Sequence, residues 1–530
     1  MSVRICSLVA VLNFLLPALA TAQVDPLPMP GPLESIQPTS GVSYPKAEFR
    51  VADDAYLYPE AGHPPFDQIP PMPMPDSDTW RPDDRAPSTT LFHDAKTGLT
   101  VESPPTRLSG ATSGRSPEPT YQGVGKSSTD RLMRTFSNMT VAADLPGWPR
   151  RANVKMFMRF TTTGGTTLWY TCSGSMADAG VVQTAAHCVY GRNPDGNNIF
   201  NWANEIYIYP AWDGVGTEWA APGSTEVIQH FGYVRATQYM AGSNWVTDGS
   251  FDADNGAVRI ARGSSRNIGM LTGWFGWAWG GTCPEIQARV YSNFSYPAEG
   301  CSATLHTGRT MYYWAGSYDS CPGNQLQINT TGGCLNAGWG GMSGSGAYYI
   351  DGDSRYVQAV SSNSERSTVA RYARLWETWV IDRTTFVNDT RSASFDLEAL
   401  RFRADGSTVV TAGTSMSAGS RVYIANATNN DPAPDSYQLR IYLSTNNIIS
   451  SGDTLLGTWN YNVDFAAMQG TEFLVPAVAI PLSTPGGSYW IGGLLDPATD
   501  GVSANSGSSL WDAQAITVRS QNLFRNGFES

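Results

Sequence analysis

From about Thr129 to residue 375, short runs of apolar residues, some continuous and some alternating with polar ones, are parted by Gly, Asn, Asp and Pro. Val154-Lys155-Met156-Phe157-Met158-Arg159-Phe160, Leu168-Trp169-Tyr170-Thr171-Cys172 and Val181-Val182-Gln183-Thr184-Ala185-Ala186 each read as a strand. Glu205 to Tyr209, Gly256 to Ile260 and Val357 to Val360 continue the series. Strands at this spacing, without amphipathic helices between them, predict antiparallel barrels or sandwiches. The one helical pattern, Arg374 to Ile381, would close this region.

The texture changes on either side. Residues 23–128 hold over half of the 34 prolines, Pro70-Pro71-Met72-Pro73-Met74-Pro75 among them, with few periodic apolar stretches. Such a stretch buries too little apolar area to offset its ordering entropy, so it reads as a linker, an arm or, given its position, a pro-segment. Past residue 391 the alternation is clear in Arg421 to Ala425, Tyr437 to Leu443, Ser488 to Gly492 and Ala515 to Val518. Short strands with Asn, Asp and Gly turns over residues 392–520 suit one immunoglobulin-like β-sandwich, with 521–530 as a tail.

Composition supports an all-β, exported chain. Of 530 residues 41% are hydrophobic and only 15% charged, with 53 glycines, a turn-rich rather than helical profile. The net charge of −12 argues against nucleic acid as a partner, because a polyanion is not drawn to an acidic surface. Arg4, the apolar run Leu8 to Leu19 and Ala20-Thr21-Ala22 form a signal peptide over residues 1–22. That run is too short to span a bilayer, and no later stretch is apolar for long enough. Cys6 leaves with it, and the six remaining cysteines favour disulfides over metal thiolates. Cys172 lies a hairpin's length before Cys188 and is its natural partner. The other four allow three pairings; Cys283–Cys301 and Cys321–Cys334 are preferred because each closes a short loop.

Three motifs carry chemistry. His187 sits in Thr184-Ala185-Ala186-His187-Cys188, at the end of an apolar strand beside a cysteine that can staple its loop. Asp254, in Asp254-Asn255-Gly256-Ala257-Val258, stands just before a strand, where a carboxylate can be buried against a histidine; Asp252 and Asp248 are competitors read as solvated turn residues. Ser343 lies in Gly340-Gly341-Met342-Ser343-Gly344-Ser345-Gly346, where small neighbours let backbone N–H groups approach a developing oxyanion. A serine hydroxyl needs a base, and that base needs a carboxylate to fix its tautomer. The order His187, Asp254, Ser343 is one of those known for such a triad.

These motifs resemble those of the chymotrypsin-like serine peptidases. Asp254 to Val258 and Asn267 to Gly276 are similar to the bacterial glutamyl-endopeptidase branch. The resemblance covers a peptidase domain at residues 129–388. It implies two six-stranded antiparallel β-barrels with the site between them and an oxyanion hole from the N–H groups of Gly341 and Ser343. It also places Ser361 where the glutamyl branch has a substrate-binding histidine, so a preference for glutamate loses its charge partner. No acidic residue between Leu335 and Met342 supports a preference for Arg or Lys. Ser361, Ser362 and Asn363 are expected to pair their backbone with an extended substrate.

Other features read as structural. Trp274 to Trp279 suits core packing, His230 and His306 have no ligand-like neighbours, and the Asp-rich turns of the sandwich suit solvated loops. The expectation is an exported serine endopeptidase made as a zymogen, acting on proteins or peptides without metal or cofactor, its sandwich touching substrate or a surface. A catalytically silent barrel pair that binds or adheres, and a hydrolase of esters, are the alternatives.

Overall fold

A computed structural model describes residues 69–72, 89–103, 113–116, 140–142, 148–193, 199–212, 214, 231, 233–260, 267–299, 305–330, 338–352, 354–365, 369–391, 396–428, 435–463, 467–468, 470–496, 506–509 and 512–521. Residues 1–22, expected to be a signal peptide, residues 522–530 of the expected tail, His230, Cys301 and Cys334 lie outside the described residues. Among those described, no helix is long and apolar enough to cross a membrane.

The first half of residues 129–388 contains a closed antiparallel barrel. Its strands run in the order Glu205–Pro210, Asn153–Thr161, Thr167–Asp178, Val181–Thr184, Gly256–Ile260 and Val234–Gly242, and the last pairs back onto the first through Ile206 opposite Ala236. Closure gives each strand of the barrel two neighbours, and Val154, Met156, Met158, Val182, Ile206, Ile208 and Val258 are fully buried.

The second half is an open sheet rather than a second closed barrel. Its order is Gln325–Asn329, Val369–Arg374, Ser354–Glu365, Gly346–Asp351, Tyr291–Ser295, Tyr312–Gly316 and Thr140–Val141, with Gly276–Gly280 running parallel to Ser354–Glu365. Among the described residues its outer strands do not pair with each other. Trp314, Leu326, Tyr372 and Ala359 fill its core. Trp274, Phe275 and Ala278 are buried, as expected of core packing.

The Pro-rich stretch is built into both sheets. Thr90–Asp94 pairs with Val234–Gly242 and with Thr100–Glu102, and Ser113–Ser116 pairs with Gly276–Gly280. Edge pairing explains this. A short strand added to an existing sheet gains a hydrogen-bond ladder and side-chain contacts, here His93 stacked on Trp202 and Phe92 against Phe386. The helix also differs from expectation, running Glu377–Arg391. Arg374 ends a strand instead, its amide bonded to Asn324 O, and the acidic Glu377 suits the first helical turn.

Two expected disulfide pairings, Cys283–Cys301 and Cys321–Cys334, are corrected. Cys172–Cys188 forms as expected, but Cys283 bonds Cys321, not Cys301. The strands Tyr291–Ser295 and Tyr312–Gly316 are an antiparallel hairpin, with Tyr291 opposite Gly316. Its open end brings the residues before the first strand beside those after the second, which puts Cys283 next to Cys321.

The C-terminal region has a three-stranded sheet (Leu397–Arg403, Arg421–Asn426, Gly470–Leu474) and a five-stranded one. Leu397, Val422 and Ile424 of the first share an apolar cluster with Leu439, Ile491, Ile516 and Val518 of the second. This unit is docked on the region that holds the barrel and the open sheet. Leu400, Tyr423, Ala425 and Met468 join the main apolar cluster, and the Asn267 side chain donates to Glu398 Oε1 at 2.6 Å.

Candidate active site

His187 lies in the short turn Ala186–Cys188 that follows the strand Val181–Thr184. Its Nδ1 is 2.8 Å from Asp254 Oδ2, and its backbone N–H donates to Asp254 Oδ1 at 2.9 Å. This double attachment fixes both the ring and the turn that carries it. Gly256 lets the two segments approach, because a Cβ there would lie 2.4 Å from Ala185 O. Asp254 accepts a third bond, from Ser362 Oγ at 2.7 Å. His187 and Asp254 are both buried, so this network works in a medium of low effective dielectric, where such bonds are strong. Of the competing carboxylates, Asp252 is buried, not solvated, and accepts the Asn324 N–H at 3.1 Å; Asp248 is exposed.

Ser343 is brought against this turn. Its carbonyl accepts the Ser173 N–H at 2.8 Å and lies 3.7 Å from Cys188 Sγ. The next residue, Gly344, has φ +83°, and a Cβ there would fall 2.0 Å from Thr184 Oγ1 and 2.8 Å from Ala185 N. Only glycine fits so close to the His187 strand. Ser343 Oγ and His187 Nε2 are both buried with no hydrogen-bond partner, and the bond between them is not made in this conformation. A nucleophile and base that tighten only with substrate bound would look this way.

The turn before Ser343 offers donors. The N–H groups of Gly340, Met342, Gly344 and Ser345 are taken, by Glu299, Trp339, Ser361 and Met342 respectively. Those of Gly341 and Ser343 are bonded to nothing among the described residues. Gly341 has φ +91°, and a Cβ would meet Tyr296 O at 2.6 Å. That backbone turn leaves two adjacent N–H groups beside Ser343.

The chain resembles chymotrypsin-like serine peptidases. Among solved structures it is similar to the protease Anisep from Arthrobacter nicotinovorans, at 21% identity, covering 44% of this chain and 94% of that one with a TM-score of 0.33. It is also similar to a Glu endopeptidase, at 16% identity, covering 47% of this chain and 96% of that one with a TM-score of 0.34. A curated relative, "Extracellular metalloprotease" of Bacillus subtilis (strain 168), is 25% identical over 130 residues, 24% of this chain. The chain spans about a third of that relative's length, 34%. No family model matches the chain.

The relative's name raises the matter of a metal. Among the described residues one group could gather around an ion: Cys172, His187 and Cys188. Cys172 and Cys188 are bonded to each other, so neither offers the thiolate that binds metal, and a lone imidazole remains.

Ser361, Ser362 and Asn363 fall where the sequence places them, beside Ser343, but are differently employed. The Ser361 N–H donates to Ser345 O and its carbonyl accepts from Gly344. Its backbone is therefore spent on the serine turn. Asn363 Oδ1 accepts from Arg371 at 3.3 Å. Ser362 is the residue whose side-chain role the sequence did not reveal, since a hydroxyl in a Ser-Ser-Asn run carries no sign of what faces it. Two more groups brace the site unannounced. Ser173 Oγ donates to Gly341 O at 2.8 Å and accepts the Tyr296 N–H at 3.0 Å. Lys155, wholly buried, donates to Gly308 O at 2.6 Å, and burial pulls its pKa down to about 7.

Proposed function

We propose that this chain is an exported serine endopeptidase, made as a zymogen, that hydrolyses peptide bonds through an acyl-enzyme. The observation that carries the reading is the convergence of three things on one buried spot. These are a histidine held at Nδ1 by a carboxylate, a serine hydroxyl with no other partner, and two unbonded N–H groups beside it.

In this mechanism His187 Nε2 takes the proton of Ser343 Oγ as that oxygen adds to the peptide carbonyl. The negative charge formed on the carbonyl oxygen is received by the N–H groups of Gly341 and Ser343, each such donor contributing about 3–4 kcal/mol. His187 then gives its proton to the leaving amine as the C–N bond breaks, which leaves an ester on Ser343. A water molecule, deprotonated by the same imidazole, splits that ester and restores the hydroxyl. Asp254 keeps Nδ1 protonated and Nε2 free to accept throughout. On this reading the stretch from Ser361 to Asn363 lies along the acyl half of the substrate. Export is supported by the signal-like N-terminus and by disulfides, which persist in oxidising compartments.

A phosphonylating serine reagent should label Ser343, and Ser343→Ala should lose both labelling and proteolysis. A protein that keeps its proteolytic activity in that variant would refute the assignment. Normal surface binding with no labelling at all would favour the silent, adhesive alternative.

A further inference from the structure

The strand Thr167–Asp178 has one edge that the barrel does not use. On one side it pairs with Asn153–Thr161 along its length; on the other it pairs with Val181–Thr184 only from Ser175 onward. Two groups take up the free stretch of that second edge. The Ser173 N–H bonds the carbonyl of Ser343. Two residues earlier, on the same edge, Thr171 exchanges both of its backbone bonds with a distant piece of chain: its N–H donates to Pro70 O at 3.0 Å, and its carbonyl accepts the Met72 N–H at 3.0 Å. Two strand residues span roughly 6.6 Å, so the segment Ile69–Met72 sits one strand repeat from the nucleophile's own residue.

The fit is close. Ile69 and Met72 are 5% and 2% exposed. The Pro71 ring packs over Gly340, with Cβ and Cγ each 3.0 Å from where a side chain at Gly340 would begin. Gly340 is the residue before Gly341, one of the two free donors. Ile69–Met72 thus bridges the disulfide flank of His187, through Thr171 next to Cys172, and the turn that carries the oxyanion donors.

On the serine-peptidase reading, which this inference rests on, that position has a defined meaning. The acyl half of a substrate runs along Ser362 and Asn363. The leaving half must depart on the opposite flank, where His187 delivers its proton and where the Cys172–Cys188 bridge and Gly340 form the walls. We propose that Ile69–Met72 is a built-in plug of this leaving-group side, an extended stretch of the chain's own N-terminal segment lying where the departing peptide must go. Latency then comes from occupied backbone groups at Thr171 and a covered Gly340, while Ser343, His187 and Asp254 stay assembled beneath. The strands Thr90–Asp94, Thr100–Glu102 and Ser113–Ser116 belong to the two sheets and stay with the active enzyme. The inhibitory part of the N-terminal segment is therefore confined to what precedes them.

The test compares the full chain with one carrying Ile69→Gly, Pro70→Ser, Pro71→Gly and Met72→Ser, the intact mass of each being verified. Three probes are used: a phosphonylating reagent, p-nitrophenyl acetate, whose leaving group has no peptide beyond the cut bond, and a mixed library of internally quenched peptides. Both chains should be labelled at Ser343 and should turn over the acetate at similar rates. The substituted chain should cleave the library faster by about tenfold or more, the occupancy that two ordinary backbone hydrogen bonds give a tethered segment. Equal library cleavage by the two intact chains overturns the plug, as does an equal rise in acetate turnover, which would put the effect on the nucleophile itself. Absence of labelling in both chains removes the serine-peptidase reading and the inference with it. Should the substituted chain not fold, a synthetic peptide of residues 66–75 added to the processed enzyme decides instead. It should slow library cleavage and spare the acetate; no inhibition overturns the proposal.

Discussion

Ser362→Ala separates what holds Asp254 in place from what Asp254 does. The buried carboxylate accepts three hydrogen bonds, from the His187 amide at 2.9 Å, from His187 Nδ1 at 2.8 Å and from Ser362 Oγ at 2.7 Å. Alanine removes the last and leaves the other two. A hydrogen bond to an ionised group contributes about 1.5–3 kcal/mol, and the free energy of unfolding should fall by about that much. Catalysis should suffer less. The Ser362 bond exists before proton transfer as well as during it, and an interaction made equally in the ground and transition states does not raise kcat. We expect kcat to drop by no more than about tenfold, equivalent to about 1.4 kcal/mol, with KM little changed. Asp254→Asn is the contrast, because an amide cannot hold Nδ1 in its protonated form; amidation of the orienting carboxylate in such a site costs about 10⁴-fold in kcat. Denaturant titration together with steady-state kinetics on one peptide substrate measures both quantities. A Ser362→Ala enzyme as impaired as Asp254→Asn, or one with unaltered stability, would refute this division of labour.

Gly344→Ala should abolish labelling of Ser343 and destabilise the protein by about 2–5 kcal/mol, since a Cβ would fall 2.0 Å from Thr184 Oγ1 at a φ of +83°; thermal melting and active-site titration check this. Lys155 binds its proton less tightly when folded, at about 7 against an ordinary 10.5. The unfolded chain therefore holds more protons between those values, and the wild type gains stability as pH rises through 7. Lys155→Met lacks that gain, so its stability relative to wild type should decline by about 2–3 kcal/mol from pH 6 to pH 9 in denaturant titrations. Glu398 behaves as the mirror case: burial, reinforced by Asp396, lifts its pKa well above the ordinary 4.5, so its contribution favours folding at low pH and is lost as pH rises past that value. Glu398→Gln should melt higher than wild type at pH 8, and the difference should vanish toward pH 4. With Cys283 bonded to Cys321, one pairing is left for the other two cysteines, and peptide mapping under non-reducing conditions should recover Cys301 linked to Cys334.

Elements whose signal is local were legible in the sequence. Gly256 to Ile260 matches the observed strand residue for residue, and Val154 to Phe160 lies inside Asn153–Thr161. His187, Asp254 and Ser343, which lie on neighbouring segments of the structure, each sit in a short motif whose composition reflects a close approach: small residues before His187, a glycine two residues after Asp254, and Gly341 and Gly344 around Ser343. What escaped depends on which distant segment lies opposite. Cys283 finds Cys321 because a hairpin brings them together, and loop length alone says nothing of that. Thr90–Asp94 looks like a fragment in a proline-rich arm until the edge of Val234–Gly242 is there to receive it. Ser362 differs from Ser361 only in facing the carboxylate, a distinction made by strand alternation and by the irregular register between Ser361 and Asn363.

The position of the serine turn depends on both the barrel and the open sheet. Its sequence neighbours belong to the open sheet, through Ser361 and Tyr296, yet the carbonyls of Gly341 and Ser343 are held from the barrel. Ser173 takes the carbonyl of Ser343 with its N–H and that of Gly341 with its hydroxyl. Thr184 Oγ1 in turn donates to Ser173 O at 2.9 Å, and Thr184 is three residues before His187. The separation of Ser343 from His187 is therefore set through Ser173 and Thr184, and not by the docking of two independent bodies. The N–H of Gly341 shares its peptide group with the Gly340 carbonyl, which accepts the Ala298 N–H at 2.7 Å, and the N–H of Ser343 shares its own with the Met342 carbonyl, which accepts the Ser345 N–H at 3.0 Å; each N–H is trans to the carbonyl so held and is turned away from that bond.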